Sequence, residues 1–171
     1  MLIATDRLLL RPMVADDAGD LRRIVTRPEV GRMLFVFPPD WTLAAAGAFI
    51  EATAFHGAPP FRLAITRAGR FIGSIGVGAG DEPSIFYFLD PVEAGQRLGA
   101  EAVHGFVDAL FRHYPMPALG AEVFQDNPAS ARLLERIGFR KTGAATHSSA
   151  ARVEPAAIWL YRLTRKEYKA A

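Results

Sequence analysis

The chain has 171 residues, of which 50% are hydrophobic and 22% are charged, a balance that suits one globular domain with a sizeable core. A formal net charge of +2, without a basic stripe interleaved with aromatic residues, gives no support for nucleic acid as a partner. The absence of cysteine excludes disulfides, thiol nucleophiles and thiolate metal sites.

The N-terminal stretch MLIATDRLLLRPM reaches Asp6 and Arg7 before a long apolar run develops, which argues against a signal peptide. No stretch approaches the ~20 uninterrupted apolar residues that a membrane-spanning helix needs. We therefore expect a cytoplasmic protein with no membrane partner, and a single domain over residues 1–171.

The first part of the chain predicts a strand followed by helices. TDRLLLRPM alternates as a strand, and Asp16 and Asp17 then open a helix that runs to about Thr26. Pro28 begins a second, short helical piece. After the loop MLFVFPPDW, Thr42 is an N-cap candidate for a helix over TLAAAGAFIEATAFHG.

The remainder predicts mainly strands, with helices in two crossovers. FRLAITR and RFIGSIGVG flank an Ala-Gly turn as a hairpin, and SIFYFLD is a further strand. A long helix follows from about Leu98 to His113, then the strand ALGAEVF, a short helix, and the strands FRKTGAAT and PAAIWLYRLTR. This order predicts an α+β domain around a mixed sheet.

The short helix after ALGAEVF has clear local end signals. Asn127 is a strong N-cap candidate, and Pro128 suits the first helical position, where a missing N–H costs nothing. Gly138 can take the left-handed turn, so that Phe139 folds back onto Leu134. A helix of ~10 residues is not stable alone, so this one must pack on the rest of the protein.

Three stretches resemble the GNAT superfamily of N-acetyltransferases, in particular the branch that contains the ribosomal-protein N-terminal acetyltransferases. They are TDRLLLRPMVADDAGDL, IFYFLDPVEAGQRLGAEAV and DNPASARLLERIGF, and the closing strand WLYRLTRKEY also fits. The resemblance covers essentially the whole chain. It implies a mixed, mostly antiparallel central sheet of about seven strands, with helices on both faces and a splay between the two middle strands.

The activity implied by this resemblance is transfer of the acetyl group of acetyl-CoA to a primary amine by direct attack in a ternary complex. The acceptor is a protein N-terminus or a small-molecule amine. The resemblance leaves the identity of the acceptor and the assembly, monomer or homodimer, open.

The resemblance also implies where coenzyme A binds. A pyrophosphate is well held by backbone N–H groups at a helix start, and DPVEAGQRLGAEA lies between a strand and a helix. Extended pantetheine can pair with a strand edge, for which Phe88 and Leu89 are placed. The implied cofactor-binding residues are Phe88, Leu89, Gly95, Gln96, Arg97, Leu98, Gly99, Ala100, Asn127 and Ser130.

The cofactor loop departs from the family pattern of a basic residue or Gln, a Gly three positions on, and a Gly or Ala two beyond that. One register places Ala94, Arg97 and Gly99 at these positions, so an arginine replaces a glycine. The other places Gln96, Gly99 and Glu101, which brings a carboxylate near phosphate. We expect Arg97 to adopt helical angles and to contact phosphate.

The catalytic candidates follow from the same resemblance. Many relatives have a tyrosine seven positions after the asparagine as the acid for the leaving thiolate, but that position is Leu134 here. In the N-terminal acetyltransferase branch the serine of the Asn-x-x-Ser pattern is the usual candidate, which is Ser130 in this chain. Candidates for the base, none with a motif, are Glu122, His147 and Glu154.

No metal site is expected, because His56, His104 and His113 lack ligand spacing with carboxylates. The rival hypothesis is a non-catalytic GNAT-like module that binds a ligand or a partner. Ala94, Arg97 and Leu134 favour it, because they replace residues that the family uses for binding and catalysis.

Overall fold

Eight strands and five helices make up the computed structural model, which describes residues 1–168. The strands are β1 (Ile3–Ala4), β2 (Leu9–Pro12), β3 (Phe61–Arg67), β4 (Arg70–Val77), β5 (Ser84–Leu89), β6 (Ala118–Phe124), β7 (Arg140–His147) and β8 (Ala156–Thr164). The helices are α1 (Ala18–Val25), α2 (Pro28–Gly31), α3 (Leu43–Ala52), α4 (Leu98–His113) and α5 (Pro128–Ile137). None of the helices in this part of the chain is both long and apolar enough to cross a bilayer.

The strands form one sheet in the order β1-β2-β3-β4-β5-β6-β8-β7, in which β5 and β6 are the only parallel neighbours within the described residues. A mixed, mostly antiparallel sheet with helices confirms the predicted fold class. The extra strand arises at the N-terminus, where one strand over TDRLLLRPM was predicted. There the chain turns between Thr5 and Leu8, whose backbone groups bond at 2.9 Å, and a short β1 pairs back on β2.

Two apolar layers cover the two faces of the sheet. On one face α4 contributes Phe106 and Leu110, which belong to the same buried cluster as Ile75 of β4. On the other face Leu21 of α1 and Ile50 of α3 share a second cluster with strand residues. Strands β3 and β4 are therefore buried almost throughout, because both of their faces are covered.

The sheet opens at its middle. Strands β5 and β6 are joined only by the pairs Ser84–Gly120 and Ile85–Ala121, after which they pair no further within the described residues. A parallel pair that ends so early leaves backbone groups of β5 free along the opening. This opening confirms the splay between two middle strands that the resemblance implied.

The ends of α5 follow the local signals. The side-chain oxygen of Asn127 accepts the N–H of Ser130 at 3.2 Å, and Pro128 is the first helical residue. Gly138 takes a φ of 109°, and the N–H of Phe139 donates to the carbonyl of Leu134 at 3.0 Å. Both predicted ends of this helix are confirmed.

Candidate active site

A cavity of about 640 Å³ occupies the opening between β5 and β6. Side chains from both faces of the sheet line it. The face covered by α1 and α3 contributes Phe37, Phe49, Arg62, Phe86 and Glu122, and the face covered by α4 and α5 contributes Tyr87, Gly99, Ser130 and Leu133. The opening therefore gives two ligands, one from each face, a place to meet.

The loop before α4 presents a set of backbone donors. The first backbone bond of this helix runs from the N–H of Glu101 to the carbonyl of Arg97 at 3.1 Å. The N–H groups of residues 95–100 donate to no acceptor within residues 1–168. A run of free donors at the N-terminus of a 16-residue helix suits a phosphate group, because the helix dipole adds to the hydrogen bonds.

Arg97 does not adopt the helical angles that we predicted. It has φ 60° and ψ 14°, in the left-handed region, and its side chain is exposed. For a residue with a Cβ this conformation costs roughly 1–2 kcal/mol. Arg97 thus adopts a backbone conformation that glycine adopts without strain. An arginine in place of the family's glycine therefore permits this loop conformation but lowers the stability of the protein.

The side chain of Gln96 is hydrogen-bonded to the neighbouring β3–β4 hairpin. The guanidinium of Arg67 donates to Oε1 of Gln96 at 2.8 Å and to the buried carboxylate of Glu93 at 3.0 Å. Arg70 donates to the other oxygen of Glu93 at 2.9 Å. The loop is therefore fastened to the β3–β4 hairpin, and its N–H groups are left to face a ligand.

Glu101, which one register brought near phosphate, is already neutralised. Its carboxylate accepts the hydroxyl of Thr5 at 2.5 Å and pairs with the guanidinium of Arg7 at 2.6 Å. The pKa of Glu101 lies below its ordinary value, because burial, which raises it, is outweighed by these hydrogen bonds. An anion at the helix start would therefore meet an ion pair and not an unpaired negative charge.

Asp90 anchors the end of β5 just before the loop. Its carboxylate is buried and accepts hydrogen bonds from Arg23 at 2.8 Å and from Arg27 at 3.1 Å, and Val92 donates its N–H at 3.2 Å. Burial raises the pKa of Asp90, but these donors outweigh it and the pKa lies below its ordinary value. The ion pairs fix where the strand stops and the loop begins.

The strand register separates the roles of the two residues predicted to meet pantetheine. Asp90 donates its N–H to Ile72, so by the alternation of an antiparallel pair Phe88 directs its backbone groups to Ser74 of β4. Its side chain is buried in the wall of the cavity. The backbone groups of Leu89 point to the opening, as do those of Tyr87, and these two residues present the free edge.

Ser130 lies in a pair of hydroxyl groups. Its Oγ is 2.8 Å from the hydroxyl of Tyr87, and both side chains line the cavity. Burial raises the pKa of Tyr87 to about 12, although the hydrogen bond with Ser130 opposes the shift. Tyr87 is therefore protonated at neutral pH and can donate to Ser130. Leu134, at the position of the family's tyrosine, is fully buried.

One of the three predicted base candidates lines the cavity. Glu122 of β6 is exposed and lines it. His147 ends β7 with its ring 4.4 Å from that of Phe35, and it does not border the cavity. Glu154 lies in a separate groove. No group of three or more His, Asp or Glu side chains within residues 1–168 is arranged to hold a metal ion.

Sequence reasoning missed Tyr87 and Arg62. The alternation of SIFYFLD places Tyr87 on the same face as Ile85, but its contact with Ser130 joins residues 43 positions apart. Arg62 is a charged residue in a strand whose apolar residues predict burial. A charged residue in a buried strand is the sequence signal that could have identified it as a site residue. Burial lowers the pKa of Arg62 to about 9.

A diverging parallel pair, a helix start with free donors and a cavity between the two faces suit an acyltransferase that uses a coenzyme A thioester. Residues 7–140 match the family described as "Acetyltransferase (GNAT) domain". The chain therefore belongs to the GNAT acetyltransferase family, as its sequence resemblance indicated, and it is an acetyl-CoA-dependent N-acetyltransferase.

The chain is also similar to individual proteins of known sequence or structure. The chain is 26% identical over 171 residues to "Uncharacterized N-acetyltransferase p20" of Bacillus licheniformis, covering 96% of each protein. The solved structure of RimL, a ribosomal L7/L12 α-N-protein acetyltransferase in complex with coenzyme A, has a TM-score of 0.79 at 14% identity, covering 96% of this chain and 98% of RimL.

The microcin C7 self-immunity acetyltransferase MccE, solved with acetyl-CoA and AMP, has a TM-score of 0.80 at 15% identity. The match covers 94% of this chain and 93% of that one. These two structures share the fold with the chain.

Proposed function

We propose that the protein transfers the acetyl group of acetyl-CoA to a primary amine, on a protein N-terminus or a small molecule, by direct attack in a ternary complex. The observation that carries the proposal is the cavity at the opening of the sheet. Its lining joins a hydroxyl pair on one face to charged side chains on the other. A thioester on the first side and an amine on the second would meet between β5 and β6.

The residues present fit an acyl-CoA. The free N–H groups of residues 95–100 suit a pyrophosphate, and the unpaired edge at Tyr87 and Leu89 suits the amide groups of a pantetheine arm. Asn127 and Ser130 begin the helix that borders the same cavity. Acetyl-CoA, when bound, supplies an acetyl group that is activated by its thiol leaving group.

Ser130 would act as the acid for the leaving thiolate. Its Oγ can donate a proton while the hydroxyl of Tyr87, kept neutral by its raised pKa, donates in turn to Ser130. A free thiol has a pKa near ~8.5, so this proton transfer aids departure without being indispensable. A positioned acid contributes roughly 100-fold or more to a rate.

Glu122 would hold the incoming amine and take its proton. Its side chain extends from β6 on the face that α1 and α3 cover, because Gly120, two positions earlier, pairs with Ser84 of β5 on that face. A carboxylate there attracts an ammonium group before the transfer. It can then accept the proton, directly or through one water molecule.

Steady-state kinetics with acetyl-CoA and a panel of primary amines and N-terminal peptides tests this function, with thiol release as the readout. Ser130→Ala should lower kcat by roughly 100-fold and leave CoA affinity within a few-fold, because the hydroxyl acts mainly as charge develops on sulfur. Tyr87→Phe should give a smaller fall in kcat. A Ser130→Ala enzyme with kcat within twofold of wild type would remove Ser130 as the acid.

The rival, a non-catalytic module, makes a different prediction. Acetyl-CoA at ~100 times its Kd adds about 2.7 kcal/mol to the stability of a protein that binds it. A chain that shows this stabilisation but acetylates no amine in the panel would keep the coenzyme A site and refute the proposed acceptor class. A chain that shows neither would refute the site itself.

A homodimer, a cytoplasmic location and a single domain are further proposals. A homodimer is tested by sedimentation velocity over a range of protein concentrations, and a cytoplasmic location by fractionation of the source cells. The proposed single domain spans residues 1–171, of which 169–171 lie outside the described residues.

A further inference from the structure

Arg62 occupies an unusual place in the sheet. It pairs with Gly76 of β4, which pairs in turn with Phe86 of β5, so the side chains at these positions share one face. A Cβ on Gly76 would lie 2.3 Å from the ring of Phe86. The glycine therefore lets the Phe86 ring lie across β4, where it contacts the guanidinium of Arg62.

The guanidinium is enclosed by aromatic rings. Its Cζ lies 4.2 Å from the ring centre of Phe86, 5.3 Å from that of Phe49 and 5.9 Å from that of Phe37. The residue is only 7% exposed, and its side chain lines the cavity. Attraction between the cation and the ring faces offsets part of the cost of burying the charge.

Hydrogen bonding of this guanidinium is nearly absent. Among residues 1–168, its one side-chain bond runs from Nη1 to Oγ of Ser74 at 3.5 Å, and Nε is buried with no partner. No carboxylate within residues 1–168 forms an ion pair with it. Because a buried charge without a counter-ion destabilises a fold strongly, an apolar side chain would serve the stability of this protein better.

We propose that Arg62 binds a carboxylate on the amine acceptor, so that the preferred substrates are amines that also carry an acid group. This inference rests on the proposed acetyl transfer to an amine. The planar fork of a guanidinium matches a carboxylate with two parallel hydrogen bonds, and among residues 1–168 the donors of Arg62 make only the long 3.5 Å bond to Ser74.

The charges of the cavity agree with such an acceptor. Within the described residues its charged lining consists of Arg62, Glu29 and Glu122. Two carboxylates and one guanidinium suit a molecule with an ammonium at one end and a carboxylate at the other. Arg62 and Glu122 share the face that α1 and α3 cover, whereas the Ser130–Tyr87 pair is on the opposite face. The acceptor would therefore enter from the first face.

Matched amine pairs test the proposal. We would measure kcat/KM for 4-aminobutyrate, 6-aminohexanoate and phenylalanine, each against its own amide, in the wild type and in Arg62→Met and Arg62→Lys. Arg162→Met, at a surface arginine paired with Glu82, is the matched control. A second readout needs no acetyl transfer: the change in Tm caused by hexanoate compared with hexanamide.

For the best-spaced pair, the wild type should prefer the acid by at least tenfold. Arg62→Met should abolish that preference, so that its kcat/KM values for the acid and for the amide agree within about threefold, and Arg62→Lys should retain part of the preference. Hexanoate should raise the Tm of the wild type and of Arg162→Met but not that of Arg62→Met. Without ligand, Arg62→Met should melt above the wild type, because an unpaired charge has been removed.

Retention of the acid preference in both Arg62 variants would overturn the proposal, as would a wild type with neither an acid preference nor a hexanoate shift. If Arg62→Met does not fold, as judged by circular dichroism, Arg62→Gln, which removes the charge but keeps a polar side chain, replaces it in the test and should likewise lose the acid preference. If no amine is acetylated, a hexanoate shift that depends on Arg62 still supports the carboxylate site. The absence of acetylation counts against the proposed function. Titration with acetyl-CoA then tests the proposed cofactor site separately.

Discussion

Two helix starts border the same opening in the sheet, and they are built in opposite ways. At α5 the chain satisfies most of its own donors: Asn127 caps the N–H of Ser130, and Pro128 removes a donor that would have no partner. Within residues 1–168, the N–H of Ala129 is the one donor at this start without an acceptor. At α4 no side chain caps the helix, Arg97 is in the left-handed region, and the N–H groups of residues 95–100 stay free. Within the described residues, one start leaves a single N–H without an acceptor and the other leaves those of residues 95–100.

This difference shows that the fold gives up stability for function at the start of α4. Local rules of helix capping hold at α5, whose start places the Ser130 hydroxyl beside Tyr87. The same rules fail at α4, where free donors and a strained residue are useful only to a bound anion. The incomplete start is therefore the better indicator of a binding site, and substitutions at the two helices should have different consequences.

Gly99→Pro should have the largest effect. Proline removes one free N–H and disfavours helical angles at Leu98, so the donors of the loop lose their common direction. We expect CoA affinity to fall by roughly 100-fold in calorimetry, since hydrogen bonds to charged groups contribute about 1.5–3 kcal/mol. Ala44→Pro, at the same second position of α3, is the control and should leave CoA affinity unchanged. Equal affinities in the two variants would refute the anion site.

Asp90→Asn tests what holds the incomplete start in place. The substitution leaves Arg23 and Arg27 without their buried counter-charge, and because both arginines are partly exposed we expect a loss of about 2 kcal/mol in urea unfolding at pH 7. The pKa of Asp90 is lower in the folded state than in the unfolded state.

The stabilising contribution of Asp90 is therefore fully present above the unfolded pKa of roughly 3.9 and is lost as the pH falls through the folded value. The difference between wild type and Asp90→Asn should narrow in unfolding experiments below about pH 4. If the difference in unfolding free energy between the two proteins stays constant down to pH 2, the ion pairs of Asp90 are not its cause.

Gly138→Ala should destabilise the protein by about 1 kcal/mol, because alanine is strained at a φ of 109°. A Cβ there would meet only Leu163 at an ordinary 3.6 Å, so the backbone angle and not crowding sets the cost. Gly19→Ala within α1, where a Cβ meets nothing within 4 Å, should instead stabilise. Thermal melts of both variants that shift in the same direction would contradict this account.

Arg97→Gly should have the smallest effect and the opposite sign. Glycine relieves the left-handed strain but loses more backbone entropy on folding, so we expect a net gain of about 0.5 kcal/mol in unfolding free energy. CoA titration of the same variant reports separately whether the Arg97 side chain contacts phosphate. A lower Tm than wild type would mean that this side chain stabilises the free protein by contacts that outweigh its strain.

Features set by neighbouring residues were predictable from the sequence. Asn127, Gly138 and Thr42 act through hydrogen bonds within a few positions, and the structure confirms all three. The hairpin of β3 and β4 and the strand β5 likewise follow from alternation and turn residues. The resemblance to GNAT proteins supplied the splay, which no local pattern encodes.

The rest depends on contacts between distant segments. Nothing local marks Arg97 as left-handed, because the course of the loop is set by the ion pairs that tie it to the hairpin. Tyr87 becomes a site residue only when α5 brings Ser130 to it, and Arg62 only when Gly76 lets an aromatic ring cross the sheet. The predicted cofactor and catalytic residues themselves remain predictions that the experiments above address.

The two residue pairs that join β5 to β6 also have a consequence for the dynamics of the protein. Strands β1–β5 and strands β6–β8 form two hydrogen-bonded sections of one sheet, and a ligand that pairs with Tyr87 and Leu89 would lie between them. Sections joined so sparsely are expected to open separately on the timescale of amide hydrogen exchange. Saturation with coenzyme A should slow exchange along β5 and β6 together, because the ligand makes the two sections open as one unit.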